Sequence, residues 1–158
     1  MAIQQSSDAK PAVVGVVLLR EDHSALLQHR DDIPSIADPG LWVFPGGHAD
    51  LGETLRAAAV RELEEETCYR SDNLKPLITF HSQDLGYSEG FQIVFFWDIY
   101  DEVQPVECRE GQALKFISRA AAELLPCRDY LTRVWDLALH ADGSLPKVDS
   151  LIISKTKP

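Results

Sequence analysis

Residues Gly46–Tyr69 read GGHADLGETLRAAAVRELEEETCY, and the reading of this stretch decides the fold. The two glycines behind Pro45 read as a flexible turn. From Thr54 to about Thr67 the chain is rich in Ala, Leu, Arg and Glu, all strong helix formers. At about 100° per residue, Glu62, Glu65 and Glu66 fall at i, i+3 and i+4 on one side of that helix. Leu55, Ala59 and Leu63 repeat every four residues and would pack the helix onto a sheet, leaving the acidic side open. Three carboxylates on one side repel one another unless a cation neutralises them. Hard oxygen ligands at this density suit Mg²⁺ or Mn²⁺. A solvated acidic helix is the ordinary reading of such a charge run.

Outside this stretch the composition is ordinary. The chain has 158 residues, 45% hydrophobic and 25% charged, which suits one domain with a sizeable core. The formal net charge of −10 argues against a nucleic-acid backbone as partner, because there is no basic stripe to displace counterions. It leaves phosphate substrates open, since bound cations reverse the local field. Cys68, Cys108 and Cys127 form neither a disulfide framework nor paired zinc spacing, which points to a reduced, cytoplasmic compartment. The apolar run Ala12–Leu19 is too short to span a bilayer, and Met1–Lys10 lacks the basic start of a signal peptide, so no membrane segment is expected.

In chain order, residues 1–11 read as a disordered lead-in. Ala12–Arg20 is β-branched and apolar and reads as a buried strand, with Ala25–Arg30 pairing back onto it as a hairpin. Asp31–Gly40, with two prolines and a glycine, is a loop that connects elements or lines a pocket. Leu41–Phe44 is a short strand leading into the glycines. Leu77–Gln83 reads as a strand, Asp84–Gly90 as a turn or loop, and Phe91–Tyr100 as the most apolar and central strand. An acidic loop, Asp101–Gln112, precedes a last strand, Ala113–Ser118. Ser118 is placed to N-cap a short helix over Arg119–Leu125, which Pro126 ends. Arg128–His140 reads as an amphipathic helix with Leu131, Val134, Trp135 and Leu139 on one side. In the tail, residues 142–158, Leu151–Ile153 suits either an edge strand or a subunit contact in a homodimer. The three tryptophans read as core.

The spacing of Gly47, Glu53, Arg61, Glu62, Leu63, Glu65 and Glu66 resembles the signature of the Nudix hydrolases, G-x5-E-x7-R-E-U-x-E-E-x-G-U with U a bulky apolar residue. Cys68 stands where that family has glycine, and Tyr69 stands at the final apolar position. The resemblance implies an α/β/α sandwich around a mixed β-sheet, over residues 12–141. It implies an enzyme that cleaves the pyrophosphate link of a small-molecule nucleoside diphosphate joined to another moiety, X, with Mg²⁺ or Mn²⁺. It makes Glu62 and Glu66 metal ligands, Glu65 a ligand directly or through water, and Gly46 a ligand through its carbonyl. Arg61 would pair with Glu53 and orient the cluster, although a direct role for Glu53 stays open. Glu110, in a Glu-Gly-Gln run on a loop before the last strand, is the candidate base and further ligand, with Glu65 close behind. His48, after the glycine pair, meets a phosphate or faces solvent. Arg30, at a strand end, and Gly47 complete the candidate substrate contacts.

Two other functions fit the same signature. One is a nucleotide-binding or regulatory module of the same fold without turnover. The complete acidic set disfavours it, because binding alone does not require Glu62, Glu65 and Glu66 together. The other is an isomerase built on the same fold. X is not legible in the sequence.

Overall fold

The computed structural model describes residues 11–143. The expectations for the lead-in before Pro11 and for the tail, including the edge strand or homodimer contact at Leu151–Ile153, lie outside the described residues. Pro11 itself is tied down: its carbonyl accepts from Gln92 N.

Strand β1 (Ala12–Leu19) is central. It runs parallel to β6 (Gln92–Ile99) along its whole length, from Ala12 opposite Gln92 to Leu19 opposite Ile99. β6 in turn pairs antiparallel with β5 (Lys75–His81). On its other side β1 meets β2 (Ala25–His29) only at the hairpin end, Leu19 opposite Ala25. β2 pairs antiparallel with β7 (Ala113–Ile117) and with the two-residue β3 (Trp42–Val43). At its start β1 takes a different partner, β4 (Gly46–His48), with Val13–Gly15 opposite His48–Gly46. Strands β1 and β2 therefore part after the hairpin. The cavity described below draws Val13–Gly15 and Trp42–Phe44 from either side of that parting.

β1 is apolar at every position because both of its faces are covered. Val14, Val16 and Leu18 pack with Ala58, Ala59 and Leu63 of helix α1 (Leu55–Thr67). The alternate residues Val17 and Leu19 pack with Val134, Trp135 and Ala138 of helix α3 (Tyr130–Ala141). The short helix α2 (Arg119–Ala122) joins the second layer through Ala122. This is the expected α/β/α sandwich around a mixed sheet. Ala59 and Leu63 are fully buried, and truncating a core leucine of this kind costs about 2–5 kcal/mol. Thr54 N-caps α1 by accepting from Ala57 N, and Ser118 caps α2 by accepting from Ala121 N.

Several local expectations are corrected. Gly46-Gly47 is not a flexible turn but strand β4. An ideal Cβ at Gly46 would lie 2.0 Å from the Val14 carbonyl oxygen, so the glycine permits the pairing. β5 begins at Lys75 and passes through Pro76, because an edge strand tolerates a missing N–H; the ladder shifts register between Pro76 and Ile78. The segment after it opens with a 3₁₀ turn, Ser82–Leu85, rather than continuing as strand or loop. The helix after Ser118 stops at Ala122, and α3 starts at Tyr130 rather than Arg128. Trp135 and Trp97 are core, but Trp42 is half-buried, stacks on His29 at 4.7 Å and lines the cavity. No helix among the described residues is long and apolar enough to cross a membrane.

Candidate active site

A cavity of about 600 Å³ opens where β1 and β2 part, lined by β1, β4 and α1 and also by Asp38, Tyr87, Arg128 and Tyr130. Its lining has two chemical characters. Glu62, Glu66 and Glu110 join Gly46, Gly47 and His48 in an acidic part. Trp42, Tyr87, Phe91, Phe95 and Tyr130 supply aromatic surface, with Asp38 and Arg128 among them. Arg30 also lines the cavity, its Nε donating to the Ala37 carbonyl at 2.7 Å.

The acidic part is built where β4 meets α1. Val16 N donates to Pro45 O, and Ala49 N to Ala12 O. With this register, Gly46 sits at a non-hydrogen-bonded position of the β1–β4 ladder, so its N–H and carbonyl both turn away from β1. On that side, Gly46 N donates to Glu66 Oε1 at 2.8 Å. Gly47 faces the next acid: an ideal Cβ there would lie 2.5 Å from the Glu62 carboxylate carbon. Gly47 thus lets backbone approach the Glu62 carboxylate more closely than any side chain permits, while Gly46 lets β4 approach β1.

Glu66 is only 4% exposed. Burial, then the neighbouring Glu110 carboxyl, pushes its pKa up to about 9, against the favourable Gly46 N–H. The buried Gln28 amide favours the ionised form of Glu66, yet its Nε2 has no hydrogen-bond partner of good geometry among the described residues. Burial also raises the Glu62 pKa, opposed by Arg61. Glu110 reaches this place because its loop is clipped to the end of α1. Glu107 N donates to Thr67 O at 2.8 Å and Arg109 N to Glu66 O at 3.1 Å, satisfying carbonyls that a helix end leaves free.

Arg61 organises the outer acids. Its Nε and Nη2 grip Glu53 at 2.8 and 3.0 Å, a fork on a carboxylate. Nη1 reaches Glu62 at 3.0 Å and Glu65 at 3.3 Å, and Nη2 also donates to the His48 carbonyl. The Arg61 fork, with Asp50 N, draws the Glu53 pKa down to about 2. Glu65 is well exposed and is absent from the cavity lining. The structure thus brings Gly46, Gly47, His48, Glu62, Glu66, Glu110 and Arg30 to one cavity, and places Glu53, Arg61 and Glu65 on its outer side.

Among the described residues, no three acidic, imidazole or thiol side chains are gathered tightly enough to enclose a cation alone. A magnesium site needs less, because one or two carboxylates commonly suffice when substrate phosphates and water fill the shell. Glu66 with a displaceable proton, a backbone carbonyl on the same edge and the gap kept by Gly47 fit that requirement. Asp38, Tyr87, Arg128 and Tyr130 were not singled out by the sequence. No spacing signal joins residues from a loop, a turn and a helix start.

The three-layer sandwich, with a glycine-flanked, acid-bearing helix beside a parted sheet, is an α/β/α scaffold with its cavity at the parting. Residues 9–134 match the NUDIX domain model, and the chain belongs to the Nudix family. It is 45% identical over 103 residues to a Bacillus subtilis (strain 168) protein named "Putative 8-oxo-dGTP diphosphatase", covering 65% of this chain and 63% of that one. It is 32% identical over 117 residues to the CMP-5'-(N-acetyl-N-hydroxy-3-aminopropyl)phosphonate hydrolase of Streptomyces rubellomurinus (strain ATCC 31215), covering 73% and 55%. The matched stretch thus spans less than two thirds of these relatives' own length. The fold is similar to the NUDIX domain of Shewanella oneidensis NrtR, solved with ADP ribose, with a TM-score of 0.69, 22% identity and coverage of 83% and 87%.

Proposed function

We propose that this chain is a divalent-metal-dependent hydrolase that cleaves the pyrophosphate link of a nucleoside diphosphate joined to a second moiety. The observation that carries the reading is Glu66 held against Gly46, with Glu62 and Glu110 lining the same cavity. The names of the relatives, a diphosphatase and a hydrolase of a CMP derivative, support a nucleotide substrate.

In this reading Glu62, Glu66, Glu110 and the Gly46 carbonyl hold Mg²⁺ or Mn²⁺, with Glu65 contributing directly or through water. The bound ion neutralises phosphate charge and acidifies water. Glu110 accepts the proton of the attacking water, whose oxygen bonds to phosphorus as the bridging P–O bond breaks; Glu65 is the second candidate. Glu53 and Arg61 fix the orientation of α1's acids. Arg30, Gly47 and His48 meet the phosphates, and the aromatic lining takes the base or X. Phosphoryl transfer depends mainly on such positioning and charge compensation. Three free cysteines among the described residues suit a cytoplasmic setting.

The test is a panel of nucleoside diphosphate derivatives assayed with Mg²⁺, with Mn²⁺ and with chelator, in isotope-labelled water. Turnover only with metal, with label in a phosphate product, is expected. Full turnover in excess chelator refutes the reading. Nucleotide binding without turnover across the panel would favour a binding module instead.

A further inference from the structure

Three separate segments meet at the aromatic part of the cavity. Asp38, on the loop before β3, has a left-handed φ of 49° and a side chain only 9% exposed. One of its oxygens accepts from Arg128 Nε at 2.9 Å and lies 2.8 Å from Arg128 Nη2. The other accepts from the Tyr87 hydroxyl at 2.7 Å. The Tyr87 hydroxyl is 3.0 Å from that of Tyr130. The Arg128 guanidinium lies 4.0 Å from the centre of the Tyr87 ring.

This chain of contacts has only one direction. A carboxylate paired with arginine can only accept, so Tyr87 spends its single proton on Asp38. The Tyr87 oxygen then accepts, and Tyr130 spends its proton on Tyr87. Tyr130 is left with lone pairs and no proton to offer. Burial raises the pKa of both tyrosines, Tyr87 more strongly, so both keep their protons at ordinary pH. We propose that the Asp38–Tyr87–Tyr130 relay makes Tyr130 an obligate acceptor in the cavity, selecting nucleotides whose base presents an exocyclic amino donor there. This selectivity rests on the nucleotide reading above.

The relay makes a directional prediction for Asp38→Asn. The asparagine Oδ1 still faces Arg128, and its Nδ2 now donates to Tyr87. Tyr87 then donates to Tyr130, whose proton turns to the cavity, and the site becomes a donor. Tyr130→Phe removes the acceptor without creating a donor.

The experiment uses matched nucleotides with and without an amino group: adenine and unsubstituted purine, cytosine and pyrimidin-2-one, guanine and hypoxanthine. Calorimetry gives Kd for the 5′-monophosphates, and kcat/KM with Mg²⁺ is measured for the 5′-triphosphates. The wild type should prefer the amino member of at least one pair by about 10-fold or more, since a built acceptor rejects an analogue lacking the donor. Tyr130→Phe should abolish that preference, bringing the ratio between the amino member and its amino-lacking partner to about one. Asp38→Asn should invert it. Absence of preference in every pair, or its survival in Tyr130→Phe, overturns the proposal. Melting curves identify a variant that fails to fold, and Tyr130→Phe then carries the test. Selective binding without turnover sinks the hydrolase reading alone, whereas turnover without preference sinks this inference alone.

Discussion

Gly46 N and Glu66 Oε1 lie 2.8 Å apart, although twenty positions separate them in the chain. The contact ties β4 to α1 and sets the carboxyl against the edge of the sheet. The same carboxyl is buried beside Glu110, so the metal-free protein retains a proton there well above the ordinary carboxylate range.

That proton makes stability depend on pH. Below the ordinary carboxylate pKa, Glu66 is neutral in both the folded and unfolded states. Between that value and about 9 the unfolded chain releases the proton while the folded one keeps it. The folded state then binds more protons, so stability falls as pH rises through this window. In excess chelator the wild-type Tm should therefore drop between roughly pH 5 and 9. Glu66→Gln, which mimics the protonated carboxyl, should flatten that slope and match or exceed wild type at pH 8. Its kcat with Mg²⁺ should fall by at least about 10²-fold. A steeper slope in the variant contradicts the assignment, and so does wild-type activity.

Glu110→Gln separates chemistry from folding. The residue is held by a loop clipped to α1 through Glu107 and Arg109 backbone bonds, which the substitution leaves intact. We expect kcat to fall by about 10²-fold with Tm changed by only a few degrees. Unchanged kcat would exclude Glu110 as base.

The two glycines of β4 should fail differently. A Cβ at Gly46 meets backbone, at 2.0 Å from Val14 O, and nothing nearby can yield. Gly46→Ala should destabilise by about 2 kcal/mol or more, read from chemical denaturation. A Cβ at Gly47 meets the end of the flexible Glu62 side chain, at 2.5 Å. Gly47→Ala should cost under about 1 kcal/mol yet lower kcat by about 10-fold or more, because Glu62 must move. Equal stability losses in both variants would contradict this distinction.

Cys68 ends α1 with φ 66° and ψ −3°, donating its N–H to the Glu64 carbonyl. This is the left-handed cap position at which glycine is favoured and a Cβ is strained. Cys68→Gly should raise stability by about 0.5–1 kcal/mol, the relief exceeding the added entropy of the unfolded chain and the loss of the Sγ–Glu107 contact at 3.1 Å. An unchanged or lower denaturation midpoint would show that the contact outweighs the strain.

What the sequence determined by itself was whatever depends on near neighbours along the chain. Helix α1 and its acids were legible because a helix repeats every 3.6 residues, so Glu62 and Glu66 face one way wherever the helix docks. The central place of β1 and β6 was legible because strands covered on both faces must be apolar at every position. Tertiary structure decided the rest. Gly46-Gly47 reads as a turn in isolation, since glycine has no strand preference; only the ladder with β1 makes it a strand and aims Gly46 N at Glu66. Glu110 comes beside Glu66 because a distant loop caps the end of α1. The partnership of Asp38, Tyr87, Arg128 and Tyr130 has no periodicity to reveal it, because each residue comes from a segment whose position the sheet and α3 alone determine.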